Sequence, residues 1–238
     1  MEQELRKHLH NILTEANNKK KSPWKKIGGI FMEMIIIIFA VSFAVWMERQ
    51  REHSHEQKEA KEFLLGLKTD LESDLGEMKG DTTYGYNQQE RSLKYFARAK
   101  KLQPDSVKLN QDVLLSETHL LINNGRYEGF KASGKMNTIE NTELRNNILD
   151  LYQEKLIGLT NITAKHLYIK REMNQRIMAL RKNTGTKMDN LIAVMANNEI
   201  RNYCISLSDT REIMRYYRMS IMLSKKIIEL INRKYPEK

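Results

Sequence analysis

The sequence predicts an all-α protein, in which a single transmembrane helix continues through a charged stalk into a soluble helical bundle. Three observations predict it. The run Ile27 to Trp46 (IGGIFMEMIIIIFAVSFAVW) holds twenty near-continuous apolar residues, a helix of roughly 30 Å, which matches the hydrocarbon thickness of a bilayer. Apolar residues elsewhere recur at three- and four-residue steps, with little of the strict alternation that marks strands. The 238 residues include only three prolines and eleven glycines, which leaves long helical patterns unbroken. The expected organisation is a cytoplasmic amphipathic tail over 1–26, the span over 27–46, a stalk and first bundle helix over 47–80, and a periplasmic helical domain over 81–238.

In the tail, Leu5, Leu9, Ile12 and Leu13 share one helical face, so a short amphipathic helix is expected there. Lys19, Lys20, Lys21, Lys25 and Lys26 then crowd the entry to the span. On the other side Arg49, Arg51, Lys58 and Lys61 are interleaved with Glu48, Glu52, Glu56 and Glu59. Only Lys and Arg count reliably towards orientation, so this bias places the N-terminus in the cytoplasm and the main domain in the periplasm. Trp24 and Trp46 bracket the span, where amphipathic rings favour the interface. A cleaved signal peptide is the rival reading, with Ala40, Ser42 and Ala44 as small residues. The apolar run exceeds the 7–15 residues of such a segment and continues through Val45 and Trp46, which favours a retained anchor.

Beyond Trp46 the helix is expected to continue to about residue 80. Glu48 to Lys61 is polar all round, and then Leu64, Leu67, Leu71, Leu75 and Met78 form one apolar stripe. Such a stripe packs into a domain or pairs with a second copy as a coiled coil, and the first is the commoner outcome. Further helices are expected from about Thr82 to Leu102, and from Asp105 or Ser106 to about Ile122 with Val113, Leu114, Leu120 and Leu121 inward. Asn123-Asn124-Gly125 reads as a turn and Tyr127 to Ala132 as a short helix closed by Ser133-Gly134. Asn141 or Thr142 starts a helix whose apolar face runs from Leu144 through Ile148, Leu151, Tyr152, Leu156, Leu159 and Ile162 to Ile169, Met173, Ile177 and Leu180, with a bend near Gly158. After a break at Thr184-Gly185-Thr186, helices are expected from about Lys187 to Ala196 and from Asp209 to Lys234, the last capped by Ser208. Met214, Tyr216, Tyr217, Met219 and Met222 are expected in the core, or as a partner-facing surface.

The net charge of +10 is unevenly spread: residues 1–26 carry +4, the stretch from Lys165 onward +9, and the middle −3. The tail's share follows from topology. The C-terminal excess reads as solvated helix surface, or as a face towards anionic headgroups. No groove-reading or aromatic-basic motif accompanies it, so no nucleic-acid partner is expected. The single cysteine, Cys204, lies between Tyr203 and Ile205 and is expected to be a buried, inert thiol; it can form no intramolecular disulfide.

Two segments together resemble a bacterial family of uncharacterised single-pass membrane proteins. One is Glu33, the apolar span, Glu48, Arg51-Glu52, and then Glu62-Phe63-Leu64, Leu67, Asp70-Leu71 and Asp74. Gln50 departs from the family pattern, which often has tryptophan there. The other is Tyr127, Phe130-Lys131, Ser133-Gly134, Met136, Ile139, Asn141, Leu144-Arg145 and Leu151-Tyr152. The resemblance implies the same topology and brings no activity with it.

Glu33 is the sharpest candidate for a site. It lies about six residues inside the span, roughly 9 Å along the helix. A carboxylate at that depth is costly, so it is expected to be neutralised, to reach back towards Lys25 or Lys26, or to meet a partner helix. Lys131, Ser133, Gly134, Asn141, Leu144 and Arg145 form a second candidate, read as structural: Ser133-Gly134 closes a helix, and Arg145, close in sequence to Asn141 and Glu143, is expected to fix the turn to the bundle by charge-assisted hydrogen bonds. A catalytic Ser133–Lys131 pair is disfavoured. His53 and His55, like His8 and His10, are two residues apart, so their rings diverge on a helix and no metal site is expected. No phosphate-binding glycine loop, nucleophile elbow or Cys-x-x-Cys is present. The expected function is that of a non-enzymatic envelope protein without cofactor, whose partners are the lipid bilayer and either further copies of itself or other envelope membrane proteins. The alternative is an accessory subunit of a proton-driven or transport complex that uses Glu33.

Overall fold

A computed structural model describes residues 23–182 and 190–236, with positions 6, 7, 10, 11 and 14 of the tail; the side chains of residues 23–28 and of Leu115 are outside that description. The tail positions Leu5, Leu9, Ile12 and Leu13, the lysines at 19–21 and the break at Thr184-Gly185-Thr186 also lie outside the described residues. Every regular element among the described residues is helical. The chain divides into two compact units, Met1–Glu59 and Ala60–Lys238, and the boundary falls within the expected stalk.

Helix α1, Pro23–Gly80, is a single 58-residue element that starts on proline, whose missing N–H costs nothing at a first helical position. In the first unit it contains a segment long and apolar enough to cross a membrane, none of it buried within the protein. Phe39 stacks on Phe43 at 6.3 Å and Phe43 on Trp46 at 5.8 Å, along one face of this segment. In the second unit the stripe Leu64, Leu67, Leu71, Leu75 and Met78 is buried, so it packs into its own domain. Each such leucine contributes roughly 1.5–3 kcal/mol by leaving water.

At Gly80 the backbone does not stop. It shifts into a π-helical segment, Asp81–Tyr86, and resumes as α2, Asn87–Arg98, four residues short of the expected end at Leu102. Helix α3, Pro104–Leu115, begins on Pro104 with Gln103 before it, so neither Asp105 nor Ser106 is its cap. It also ends seven residues before Ile122. Residues 116–124 form an extended strap instead, on which Leu121 is 69 % exposed while Leu120 packs against the core. Gly125 opens α4, Gly125–Ala132, rather than closing a turn. Gly134 ends this helix in the left-handed conformation, φ +74°, as the sequence suggests. Replacing it with alanine is expected to lower stability by about 1–2 kcal/mol, the cost of a Cβ in that region, measurable as a fall in the melting temperature of the full chain.

Asn141 caps α5, Thr142–Asp150, by accepting from the Leu144 amide at 2.9 Å. A second π-helical segment, Leu151–Lys155, leads into α6, Leu156–Leu180. The irregularity therefore precedes Gly158. That glycine serves close packing, since a Cβ there would come 2.3 Å from the Tyr216 ring. Helix α7, Leu191–Ala196, is followed by an element the sequence reading did not contain, α8, Asn198–Leu207, capped by Asn197. The last helix, α9, runs Arg211–Lys234; Thr210 precedes it, and Ser208 belongs to the end of α8. Of the Met/Tyr set, Tyr217 is fully buried, Met214 and Tyr216 pack at the core edge, and Met222 is exposed.

Two apolar clusters form inside the second unit. The first joins α1, α4, α5, the start of α6 and α9, with Leu67, Leu71, Tyr127, Leu151, Leu159, Tyr217 and Ile227 among its members. The second joins α2, α3, the end of α6, α7 and α8, through Phe96, Val107, Met173, Val194, Cys204 and Leu207. Helix α6 feeds both.

Candidate functional site

The buried stripe of α6 reads Leu156, Leu159, Thr163, His166, Lys170, Met173 and Ile177. The spacing of three and four residues is unbroken, but the middle three are polar. They lie between the two apolar clusters and form a polar belt across the second unit.

Lys170 is 1 % exposed. Its ammonium donates to Gln89 Oε1 and Val113 O, each at 2.9 Å, and to Ser116 O. Three donors therefore meet three acceptors. Val113 lies in the last turn of α3 and Ser116 is its C-cap, where carbonyls lack helical partners and the helix dipole is negative. That local field explains how a cation is held without a carboxylate in contact. Burial pushes its pKa down to about 8, against the pull of nearby Glu117. Glu117 itself makes a two-bond pair with Arg171, at 2.8 and 2.6 Å.

His166 lies one turn earlier on α6, with its Nε2 3.1 Å from Leu207 O, the last residue of α8. A carbonyl only accepts, so Nε2 carries the proton. The ring meets the edge of Tyr86 at 5.6 Å, and burial holds the imidazole below its ordinary value of 6.5, with Lys170 adding to the effect. A third basic residue does similar work, since Arg201 donates to Ala99 O, at the end of α2, at 2.9 Å. Part of the basic excess of the C-terminal third is therefore directed at helix ends inside the protein.

The strap 116–124 is fixed by side chains. Tyr86 donates to Thr118 O at 3.1 Å and Gln89 to Thr118 Oγ1 at 2.7 Å. Glu77 accepts from the Leu121 amide at 2.8 Å, and Asp74 Oδ1 accepts from Asn123 Nδ2 at 2.6 Å. Gly85 permits the approach: a Cβ there would lie 2.7 Å from the Thr118 methyl. These bonds explain why the chain leaves the helix after Leu115, as Lys170, Tyr86 and Glu77 supply the partners that an α-helix would otherwise provide.

The two segments that carry the family resemblance meet in a junction. Phe63 stacks on Phe130 at 3.9 Å, Arg126 donates to Asp70 at 2.9 Å, and Tyr127 stacks on Tyr152 at 4.2 Å. Asp74, also of that motif, is buried, and burial raises its pKa against the two bonds from Asn123. Its Oδ2 and the Tyr152 hydroxyl have no hydrogen-bond partner among the described residues.

The residues singled out in sequence are distributed unevenly around these features. Leu144 is buried in the first cluster and Asn141 caps α5. Lys131 is exposed with its Nζ 5.6 Å from the Tyr127 ring, and Ser133 donates to Phe130 O at 2.7 Å, so the two do not form a pair. Nearby, Glu143 pairs with Lys226 at 2.7 Å, and the Asn141 side chain accepts from the Leu144 amide. Glu33 is half-buried on α1, in the first unit, away from the polar belt in sequence. His55 lies 3.8 Å from Glu59, and no cluster of metal-ligating side chains occurs among the described residues. Cys204 is buried, 3.9 Å from the Met173 sulfur, and burial pushes its thiol up to about 12. The belt residues Thr163, His166 and Lys170 were missed by sequence reasoning. The available signal was their register: they continue the 3–4 spacing of Leu156 and Leu159 into Met173 and Ile177.

Lys170 is too enclosed to meet a substrate and acts as a fixed internal cation. His166 lines an open cleft of about 460 Å³, together with Lys165, Leu207, Asp209, Arg211 and Arg215. Comparison with protein-family models, with curated proteins and with solved structures finds no match.

Proposed function

We propose that the protein is a single-pass membrane protein of the bacterial inner membrane, related to the uncharacterised family it resembles. Its bundle-like second unit serves as an interaction or scaffold domain in the periplasm. The observation that carries this reading is the contrast between its two units. The apolar segment of α1 is unburied by the protein, whereas the apolar side chains of the second unit gather into two buried clusters. A segment of that composition is suited to lipid. The test is purification of the full chain in mild detergent with mass measurement. Self-association or stoichiometric envelope partners are expected, and a lone monomer overturns the reading.

A second reading, an accessory subunit of a proton-driven or transport complex, is favoured by Glu33. At helical spacing Glu33, Ile37, Ala40 and Ala44 fall on one face, a carboxylate followed by two small residues that allow close approach of another helix. Glu33→Gln and Glu33→Leu are expected to weaken the assembly recovered in mild detergent, the leucine variant more strongly. Unchanged assembly in both variants removes Glu33 from the contact.

A further inference from the structure

Helix α6 gives one face to both apolar clusters and leaves the opposite face bare. On that face Ile157, Asn161, Ala164, Tyr168, Gln175 and Ala179 recur at steps of three, four and seven residues, and all are exposed. They form one stripe along a regular helix, Leu156–Leu180, roughly 37 Å long. Ile157 and Tyr168 are 52 and 63 % exposed, and Met178 at the edge of the stripe is 62 % exposed. Single exposed apolar residues are ordinary, but three large ones along one helix face mark a contact surface.

We propose, on the reading of the second unit as an interaction domain, that this face of α6 pairs with the same face of a second copy, antiparallel, about a two-fold axis at Tyr168. The order of residues along the stripe selects that partner. About such an axis, residues equally far before and after Tyr168 face one another. Ile157 and Ala179 lie eleven residues to either side, so apolar meets apolar, with Met178 beside them. Asn161 and Gln175 lie seven to either side, so amide meets amide, and each can donate and accept. Tyr168 meets its own copy.

Charge matches in the same register. Lys165 lies three residues before Tyr168 and Glu172 four after it, on one flank of the stripe. Each ammonium therefore faces the carboxylate of the other copy, twice by symmetry. Lys165 is exposed and forms no ion pair among the described residues. Glu172 accepts from the Tyr168 hydroxyl at 2.7 Å, which sets its carboxylate beside the axis. The other cations bordering the stripe are already neutralised, Arg171 by Glu117 at 2.6 Å and Arg176 by Glu199 at 2.9 Å. Moving the axis one step along the helix spoils the match. In one direction Ile157 meets Gln175 and Asn161 meets Arg171; in the other Asn161 meets Met178 and Ala164 meets Gln175. A parallel pairing sets Lys165 against Lys165 and Glu172 against Glu172, which repels.

Disulfide cross-linking of the full chain in mild detergent tests the pairing, with copper phenanthroline as oxidant and products identified by mass. Cys204 is buried and stays in every variant, so the natural chain is the blank. Tyr168→Cys is expected to give a product of twice the chain mass, since residues on the axis meet their own copies at disulfide distance. The copies of Ile157→Cys lie roughly 33 Å apart in the pair, as do those of Ala179→Cys. Each is expected to link only when the two variants are mixed. Within the Tyr168→Cys chain, Lys165→Glu and Glu172→Lys should each lower the yield several-fold, and the two together should restore it. No linked dimer from Tyr168→Cys, or Ile157→Cys linking to itself, overturns the proposal. So does a Tyr168→Cys product that contains a different protein. Self-association by mass without these links overturns this face while leaving the interaction domain standing.

Discussion

Lys170→Met is expected to lower the stability of the full chain by about 3 kcal/mol, read as a fall in melting temperature by circular dichroism in detergent. Methionine nearly fills the volume of the lysine stem, so the loss is that of bonds. Gln89 Oε1 and Ser116 O lose the ammonium as donor, while Val113 O keeps only the Ser116 hydroxyl at 3.0 Å, and an orphaned buried acceptor costs about 1–3 kcal/mol. Removing the cation also removes the cost of burying it, which offsets part of that sum. The net effect falls in the range expected when one side of a buried polar contact is deleted. A loss below about 1 kcal/mol would show that the ammonium does not hold the end of α3. The same residue fixes an alkaline signature. Its pKa is about 8 in the folded chain and 10.5 in the unfolded one, so between these values the unfolded state binds more protons. Stability contributed through Lys170 therefore rises with pH from about 8 to 10.5, and Lys170→Met should lack that rise.

Tyr127→Ala is expected to cost about 3–5 kcal/mol, the range for truncating a large buried aromatic ring. Tyr127 is fully buried in the first cluster, stacks on Tyr152 at 4.2 Å, and its hydroxyl accepts from Gln153 Nε2 at 3.0 Å. Tyr127→Phe keeps the stack and loses one hydrogen bond, so about 1 kcal/mol is expected. The order of the two variants tests the role given to the junction. A residue that worked by contacting a partner would leave the melting temperature of the isolated protein unchanged in both. The junction joins α1 to α4 and the second π-helical segment, so its loss would also be felt at Asp70–Arg126 and Phe63–Phe130.

Much of the fold was legible from periodicity. The leucine stripe of α1, the Ser133-Gly134 stop and the Asn141 cap are local: each depends on residues within a turn or two, and each is found where the pattern places it. The failures are equally specific. Helix α3 ends at Leu115 because donors from α6 and the first π-helical segment claim the Val113 carbonyl in its last turn and carbonyls of the strap, and those donors are 32 to 57 residues away in sequence. The π-helical segments were missed because a one-residue shift leaves the apolar periodicity nearly intact. Helix α8 falls in the stretch between Ala196 and Ser208, to which the sequence analysis assigns no element, and Asn197 supplies its cap. Of the candidate site, the motif residues were visible as a pattern but not as a junction. The polar belt left only the trace of its register, since lysine and histidine are read as solvent-facing unless something specific receives them.

The sequence alone determined the helical class, the long apolar segment of α1 and the stripe that follows it, because these rest on composition and on spacing along one helix. Only the tertiary structure decided that Lys170, His166 and Arg201 turn inward. The reason is physical: a basic side chain is tolerable inside the protein where helix-end carbonyls converge to accept its N–H groups, and that convergence arises when helices distant in sequence are packed together.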